Sequence, residues 1–311
     1  MFSPADVMTL PFDDWVNAFV RGWLVPNFRS HFRAAQIPIS TVLFWLDSFL
    51  RLVPMLVMTA VFTSAAWIWA GRATAMFTLI GFVFIDMIGL WDQTMTSLAM
   101  ILTAVSFCAI IGIPAGILAA RSDLTWRIMR PVLDVMQTIP SFVYLVPIVM
   151  LFGVGMAPGI IATIVFALPP MVRLTNLGIR NVRADLIEAA EAFGSTRWQM
   201  LRDVQLPLAM RTIMAGLNQT LMLSLSMVVI AALIGGGGLG HVVNTGLGRL
   251  DVGGATAGGM GIVILAIVLD RITQGMTDNS PSLSLKTMLS NLFTLRGTRA
   301  DMQADMPRGV K

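Results

Sequence analysis

The stretch Gln93–Ala120, QTMTSLAMILTAVSFCAIIGIPAGILAA, runs 28 residues without Asp, Glu, Lys or Arg. About 20 predominantly apolar residues suffice to cross a hydrocarbon core as a helix, so this run alone predicts a membrane span. Working outward from it, Leu52–Gly71 is charge-free for 20 residues, and Ala73–Trp91 for 19 apart from Asp86. On the other side, Val135–Val172 runs 38 residues, enough for two crossings, with a break expected at Gly153-Val154-Gly155 or Pro158. Thr212–Gly248 runs 37, but its Gly235–Gly240 portion predicts a loop rather than a helix, since mid-helix glycine is destabilising. One crossing is therefore expected over residues 212–234, and Val252–Leu269 supplies the last at 18 residues. The pattern predicts an all-α polytopic membrane protein of about seven spans.

Composition agrees. Of 311 residues, 56% are hydrophobic and 12% charged, where an ordinary globular chain carries about 25% charge. This argues against a soluble enzyme, a secreted disulfide scaffold or a nucleic-acid binder. The net charge of +4 comes from arginines scattered between apolar runs, a topology pattern rather than a nucleic-acid footprint. Cys108, the single cysteine, lies inside an apolar run and reads as packing; His31 and His241 stand apart from other metal-ligand types. The 23 methionines read as adaptable apolar filling. The first 14 residues hold Asp6, Asp13 and Asp14 and no basic n-region, unlike a secretory signal.

Arginine and lysine set the expected orientation. With residues 178–206 on the cytoplasmic side, 16 of the 21 basic residues fall inside. Arg249 alone lies in a short outside loop, and the remaining four lie in the N-terminal segment. The positive-inside rule then puts the N-terminus outside and the C-terminus inside. Three regions follow. Residues 1–51 are expected as an extracytoplasmic tail with interfacial amphipathic helices, Trp15, Phe19, Val20, Trp23 and Leu24 recurring at helical spacing. Residues 52–275 are expected to form the transmembrane permease domain with a cytoplasmic loop at 178–206. Residues 276–311 form a cytoplasmic tail in which Leu285, Met288, Leu289, Leu292 and Phe293 repeat the amphipathic spacing and 296–311 read as disordered.

Inside the cytoplasmic loop, Asp185–Phe193 is made of good helix formers, and Gly194 is placed to end the helix with positive φ. Ser195 or Thr196 can cap a second helix, Arg197–Val204, which Leu206-Pro207 is expected to stop. Acids lie on the first arm, Arg197 and Arg202 on the second, and alanines face outward. Two readings stand side by side: a solvated connection, or a rigid bent knob on which a soluble partner docks.

Other residues attract attention within the spans. Asp86 is an acid inside an apolar run and so a functional candidate, although Trp91 is near enough for it to reach the outer interface. Gln137, Thr138, Ser141 and Tyr144 beside Pro140 make a polar, kinked stripe; Asn218, Gln219, Ser224 and Ser226 make another. Both read either as a pathway lining or as polar glue between helices. Gly235, Gly237 and Gly240 satisfy Gly-x-Gly-x-x-Gly, but a dinucleotide fingerprint follows a strand and opens a helix, and this one follows a span. It reads instead as a flexible external loop, with Arg249 and Asp251 as contacts for an external protein. The two lysines, Lys286 and Lys311, complete no Gly-x-x-x-x-Gly-Lys-Ser/Thr, so the chain carries no P-loop of its own.

Three stretches together carry a family resemblance. Glu188-Ala189-Ala190, Gly194 and Val204-Gln205-Leu206-Pro207 resemble, in content and spacing, the EAA motif of binding-protein-dependent ABC importer permeases, with valine where the motif has isoleucine. Asp134–Pro147 and the pair Gly248–Gly253 and Gly261–Gln274 are similar to signatures of the glycine betaine/proline permeases. The resemblance covers residues 40–275. It implies the type I ABC importer fold and a homodimer of permeases in a bacterial inner membrane. It further implies two separate ATP-binding subunits and an extracytoplasmic solute-binding protein. Glu188, Ala189, Ala190, Gly194, Leu206 and Pro207 would couple to the ATPase, which holds ATP and Mg; this chain itself would bind no cofactor and catalyse no reaction. The cargo implied is an osmoprotective compatible solute of the betaine, proline or choline type. A quaternary ammonium would favour an aromatic cage, which the spans lack, Tyr144 being the sole tyrosine; selectivity is then expected mainly in the solute-binding protein. The competing class is an ion-gradient-driven secondary transporter or channel for small amines, which would show inverted repeats and midplane ionisable groups. No clear repeat is visible, and an intramembrane enzyme would need a nucleophile–histidine, paired-aspartate or histidine–metal set in the spans.

Overall fold

A computed structural model describes residues 12–278; the amphipathic spacing expected over 285–293 and the tail 296–311 lie outside them. α1 (Phe12–Asn17) passes through a π-helical stretch, Ala18–Leu24, into α2 (Val25–Leu52). α3 (Met55–Trp69) and α4 (Arg72–Met87) form a hairpin around Gly71, whose φ of 89° only glycine adopts freely. α5 (Trp91–Arg121) is the charge-free run quoted above. α6 (Asp123–Thr138), a 3₁₀ turn (Ser141–Tyr144), α7 (Leu145–Phe152) and α8 (Met156–Arg180) follow. The chain then makes α9 (Ala184–Ala192), α10 (Arg197–Gln199) and α11 (Leu206–Ala231), and closes with α12 (Gly238–Gly248) and α13 (Val252–Asp278). Among the described residues every regular element is helical.

α5, α8 and α11 form the centre, held by close backbone approach at small residues, the way helices associate where no hydrophobic effect drives them together. A Cβ on Gly116 of α5 would lie 2.5 Å from Thr175 Cβ of α8, and one on Gly159 of α8 would lie 2.9 Å from Ala231 Cβ of α11. Buried threonines and serines return their hydroxyls to the carbonyl one turn back, as at Thr103 to Ala99 (2.7 Å) and Thr163 to Gly159 (2.9 Å). Cys108 is buried with Sγ 3.7 Å from the Ile164 carbonyl, a packing role as the sequence suggested.

The bundle has two distinct ends. At one, Arg121 donates to the Arg197 carbonyl (3.2 Å) and Arg180 pairs with Asp123 (2.7 Å); this is the loop end. At the other, Gly155 N–H donates to Ile234 O (2.8 Å) and Leu239 N–H to Ser97 Oγ (2.8 Å). α2 lies across this far end. The Phe32 ring sits 5.4 Å from that of Phe152, while the Arg51 guanidinium donates to the Thr96 hydroxyl. Those two residues are about 28 Å apart along the helix at 1.5 Å per residue. Ile39, Leu43 and Leu50 are buried beneath it, and Phe44, Trp45 and Phe49 face out.

Several expectations need correction. Four helices are long and apolar enough to cross a membrane: Trp91–Arg121, Met156–Arg180, Arg197–Ile234 and Val252–Thr277. Two bent pairs, Ser30–Leu52 with Met55–Trp69 (103°) and Asp123–Thr138 with Ser141–Phe152 (105°), raise the number to six. The count of seven equates charge-free length with helix length. α3 and α4 have 15 and 16 residues, about 22–24 Å each, and Val53-Pro54 turns the chain where one straight span was expected from Leu52. Residues 25–52, assigned to a tail, form one helix with its own share of the core. The break between the two expected crossings does fall at Gly153–Gly155, with φ of 84° and 137° at the two glycines, and Pro158 sits in the first turn of α8.

The glycine-rich run is no free loop. A 3₁₀ turn (Ala232–Ile234) and left-handed Gly235 lead into α12, where a Cβ on Gly238 would collide with Ser97 Oγ and one on Gly246 would lie 2.6 Å from Ala255 N. Packing outweighs the intrinsic cost of about 1 kcal/mol per helical glycine. Leu206-Pro207 likewise stops nothing. Helix continues from Arg197 to Ala231, and a π-helical segment, Met200–Gln205, leads directly into α11, whose second residue is Pro207. Its wider turn accommodates a residue that lacks an N–H and would clash with an α-helical i−4 carbonyl.

Candidate coupling site and translocation groove

The 178–206 segment is a stiff projection at the loop end. Gly194, at φ 79°, ends α9 as the spacing predicted. Its N–H donates to Glu191 O (2.9 Å) and that of Ser195 donates to Ala190 O (3.0 Å), the pair of bonds of a Schellman motif. The side chain at this position would meet no atom within 4 Å, so conformation rather than space demands glycine. Thr196, of the two caps considered, opens the second arm: Gln199 N–H donates to Thr196 Oγ1 (3.3 Å) and Thr196 N–H to Gln199 Oε1 (2.9 Å). Such a reciprocal capping box fixes the entry angle of the helix.

The knob stands on a packed base. Met200 and Leu201 are buried, and Leu201 joins Met171, Ile179, Ala209 and Ile213 with Leu206 against them. Arg180 ties three helices together. It donates to Asn176 Oδ1 (3.0 Å) within α8, to Ala119 O of α5 (2.9 Å), and pairs with Asp123 of α6. Leu206 therefore belongs to the base and Pro207 beside it is exposed, while Glu188 and Ala189 are exposed on the first arm and Ala190 is half-buried. Arg183 grips Asp185 through two hydrogen bonds (3.1 and 2.6 Å) at the start of that arm.

The apolar tip escaped the motif-based reading. Phe193 is 92% exposed and Trp198 64%. Two large rings held in water on a rigid bend mark an interaction surface. Their signal was present in the sequence as aromatic residues flanking the helix-ending glycine in an otherwise polar loop.

The two polar stripes separate on inspection. Tyr144 is buried, its hydroxyl donating to Met136 O (2.5 Å) across the bend between α6 and α7, and its ring set edge-on 6.4 Å from Phe166. It braces the 105° corner. Gln137 and Thr138 are exposed just before that corner and Ser141 is half-buried just after it; Thr138 Oγ1 bonds back to Val135 O (3.1 Å). Ser224 is buried with its hydroxyl on Thr220 O (2.8 Å), one turn back in its own helix. Asn218 and Gln219, by contrast, wall a cavity of 540 Å³ between α8, α11 and α13. Directly above, α11 and α13 enclose 530 Å³ more, with Met222, Ser226 and Asp270 on its wall. The groove and the knob are built on the same continuous helix, α11 with its lead-in.

Asp86 lies exposed in the last turn of α4 at the far end, its carbonyl accepting from Gly89 N–H (2.8 Å). Asp251 caps α13, Oδ1 accepting from Gly254 N–H (3.0 Å), and Arg249 is exposed beside it in the α12–α13 turn. Among the described residues no three His, Cys, Asp or Glu side chains are grouped as a metal site would need.

Residues 112–278 match the family described as "Binding-protein-dependent transport system inner membrane component". The chain is similar to the glycine betaine/proline betaine transport system permease protein ProW of Escherichia coli (strain K12), at 52% identity over 91% of this chain and 79% of that one. It is also similar to the glycine betaine transport system permease protein OpuAB of Bacillus subtilis (strain 168), at 45% identity over 86% of this chain and 94% of the relative. Among solved structures, the MetNI methionine ABC transporter in an inward-facing conformation aligns with a TM-score of 0.52 at 26% identity, covering 61% of this chain and 93% of that one.

Proposed function

The chain belongs to the binding-protein-dependent transport system inner membrane components, as a permease subunit of an ABC importer in a bacterial inner membrane, and from that premise we propose what it carries and how it is driven. The cargo is a compatible solute of the betaine, proline or choline type; the relatives at 52% and 45% identity are named for glycine betaine and proline betaine, and for glycine betaine. ATP with its Mg is bound and hydrolysed on a separate partner chain, and a solute-binding protein delivers cargo at the far end. Two copies of this permease pair with two ATP-binding subunits. Residues 178–206 face the cytoplasm and the N-terminal segment lies outside, in line with the distribution of arginine and lysine.

The observation that carries the mechanism is the Schellman-closed bend at Gly194, with Phe193 and Trp198 exposed on either side of it. Glu188, Ala189 and Ala190 present a small, acidic face that permits close approach, and the aromatic rings supply buried area once a partner covers them. Because the bend is locked at Gly194 and Thr196 and its base is packed, a push on α9 moves α8 and α11 as levers rather than being absorbed by a flexible loop. The helices walling the groove are thus the ones the partner moves.

Reconstitution of the permease with its ATPase and solute-binding protein in liposomes tests both parts. Uptake of labelled glycine betaine, proline, choline and trimethylamine N-oxide identifies the cargo. Gly194→Val, which forces a β-branched residue into left-handed φ at a cost of about 1–3 kcal/mol, should abolish solute-stimulated ATP hydrolysis. Gly194→Asn, which tolerates that region, should keep most of it. Equal stimulation in both variants would refute the lever.

A further inference from the structure

The groove between α11 and α13 contains an anion that the coupling mechanism leaves unused. We propose that Asp270 is the counter-charge that receives the quaternary ammonium group of the cargo in the loop-end half of the pathway, an inference that rests on the transport reading above. α13 begins at Val252 and packs at its other end on the α3–α4 hairpin, where a Cβ on Gly275 would collide with Trp69 O. Asp270 precedes Gly275 by five residues, placing it about 7.5 Å inside that end of the bundle at 1.5 Å per residue. Spacing alone would let it reach the interface, as at Asp86; what makes Asp270 a functional candidate is that it borders a cavity between two spans.

Its surroundings fix the group without neutralising it. Gln274 Nε2 donates to Asp270 Oδ1 (2.7 Å) and Asn218 Nδ2 donates to the same oxygen (3.4 Å). Thr273 Oγ1 in turn donates to Asn218 Oδ1 (2.6 Å) and orients the amide. All three partners are uncharged, and none of the ion pairs among the described residues includes Asp270. Both side-chain bonds fall on Oδ1, and Asp270 walls the 530 Å³ cavity together with Met222 and Ser226. That volume lies in the range of small-molecule sites.

The chemistry suits a permanent cation. A trimethylammonium group has no N–H, so amides and hydroxyls gain nothing by facing its methyls, whereas a carboxylate attracts it by charge alone. Aliphatic walls and the polarizable Met222 thioether suit the methyl surface. The 540 Å³ cavity next to it, with Asn218, Gln219 and Gln274, offers amide donors to the carboxylate end of a zwitterion. One anion and adjacent amide donors thus match the two ends of a betaine.

The test uses the complete complex of permease, ATPase and solute-binding protein in liposomes with labelled glycine betaine. Asp270→Asn should lower uptake at least tenfold, and Asp270→Glu should recover it to within threefold of the unmodified complex. Asp270→Asn uptake within twofold of unmodified would overturn the assignment. Because the amide could disturb helix packing, Ser226→Cys gives a second reading on an otherwise native chain whose Cys108 is buried. Its thiol should react at least tenfold faster with a trimethylammonium methanethiosulfonate than with the sulfonate analogue, and Asp270→Asn should bring the ratio towards one. No charge preference, or no reaction with either reagent, places the groove against lipid or a second copy and overturns the proposal. Failure of the unmodified complex to move any quaternary amine sinks the cargo reading, while the thiol ratio still reports the groove's charge.

Discussion

Gly194 and Tyr144 show how differently single residues announce themselves. Gly194 follows a run of helix formers and precedes two residues able to cap, and only one local conformation satisfies both; its φ of 79° was therefore legible. Tyr144 was not, because a hydroxyl in a polar stripe can face a pathway or a backbone carbonyl, and spacing does not distinguish them. Its bond to Met136 O closes the corner between α6 and α7. Tyr144→Phe should therefore cost about 1 kcal/mol of stability, the usual worth of one hydrogen bond. This should be read as a lower thermal midpoint of the purified complex, with glycine betaine uptake within twofold of unmodified at permissive temperature. A fall in uptake with an unchanged midpoint would return Tyr144 to the pathway wall. Asp270 illustrates the opposite failure: quoted within a signature, it stood at the edge of an apolar run, and only its pairing with Asn218 and Gln274 across two helices reveals a built site.

At the scale of elements, charge-free runs located α5, α8, α11 and α13, since the cost of burying charge acts directly on sequence. Propensity misled wherever packing outweighs it. The glycines of α12 and the proline of α11 look like helix breakers in isolation, yet both lie in helices, because close approach to a neighbour or a π turn compensates. Glycine at a helix crossing and glycine on an open face should consequently respond oppositely to alanine. In Gly116→Ala the new methyl would stand 2.5 Å from Thr175 Cβ and 2.8 Å from Val172 O, with backbone among the obstacles. Overpacking of this kind costs about 1–3 kcal/mol. Gly259 in α13 meets nothing within 4 Å, and Gly259→Ala should gain up to about 1 kcal/mol from helix propensity. Thermal unfolding of the two purified variants, compared with the unmodified protein, checks the sign of each. A destabilised Gly259→Ala would mean that another surface, such as a second copy, covers that face of α13.

For the whole molecule, the decisive feature is that its two ends differ in kind. One carries the knob and the Arg121, Arg180 and Arg197 contacts; across the other lies α2, pinned at Phe32 and Arg51. From sequence, residues 1–51 are expected as a tail with interfacial helices, because spacing alone does not distinguish an apolar face that meets lipid from one that meets protein. Ile39, Leu43 and Leu50 meet protein, and the outward Phe44, Trp45 and Phe49 keep the character of a membrane-surface helix. The proposed lever, driven from the cytoplasm, requires the knob inside, and on that proposal α2 lies outside, at the entrance. The 16 basic residues expected on the inside agree with that placement. Ser48 on α2 and Asp203 beneath the knob are both exposed, so Ser48→Cys and Asp203→Cys sample the two ends without adding or removing a basic charge. A membrane-impermeant thiol reagent should label Ser48→Cys in intact spheroplasts and Asp203→Cys only in inside-out vesicles, with the buried Cys108 silent in both. Labelling of both from one side would be incompatible with a bundle whose ends lie on opposite faces of the membrane. Labelling of each from the reverse side would leave the fold intact but place the knob where no cytoplasmic ATPase can reach it, and the lever would lose its driver.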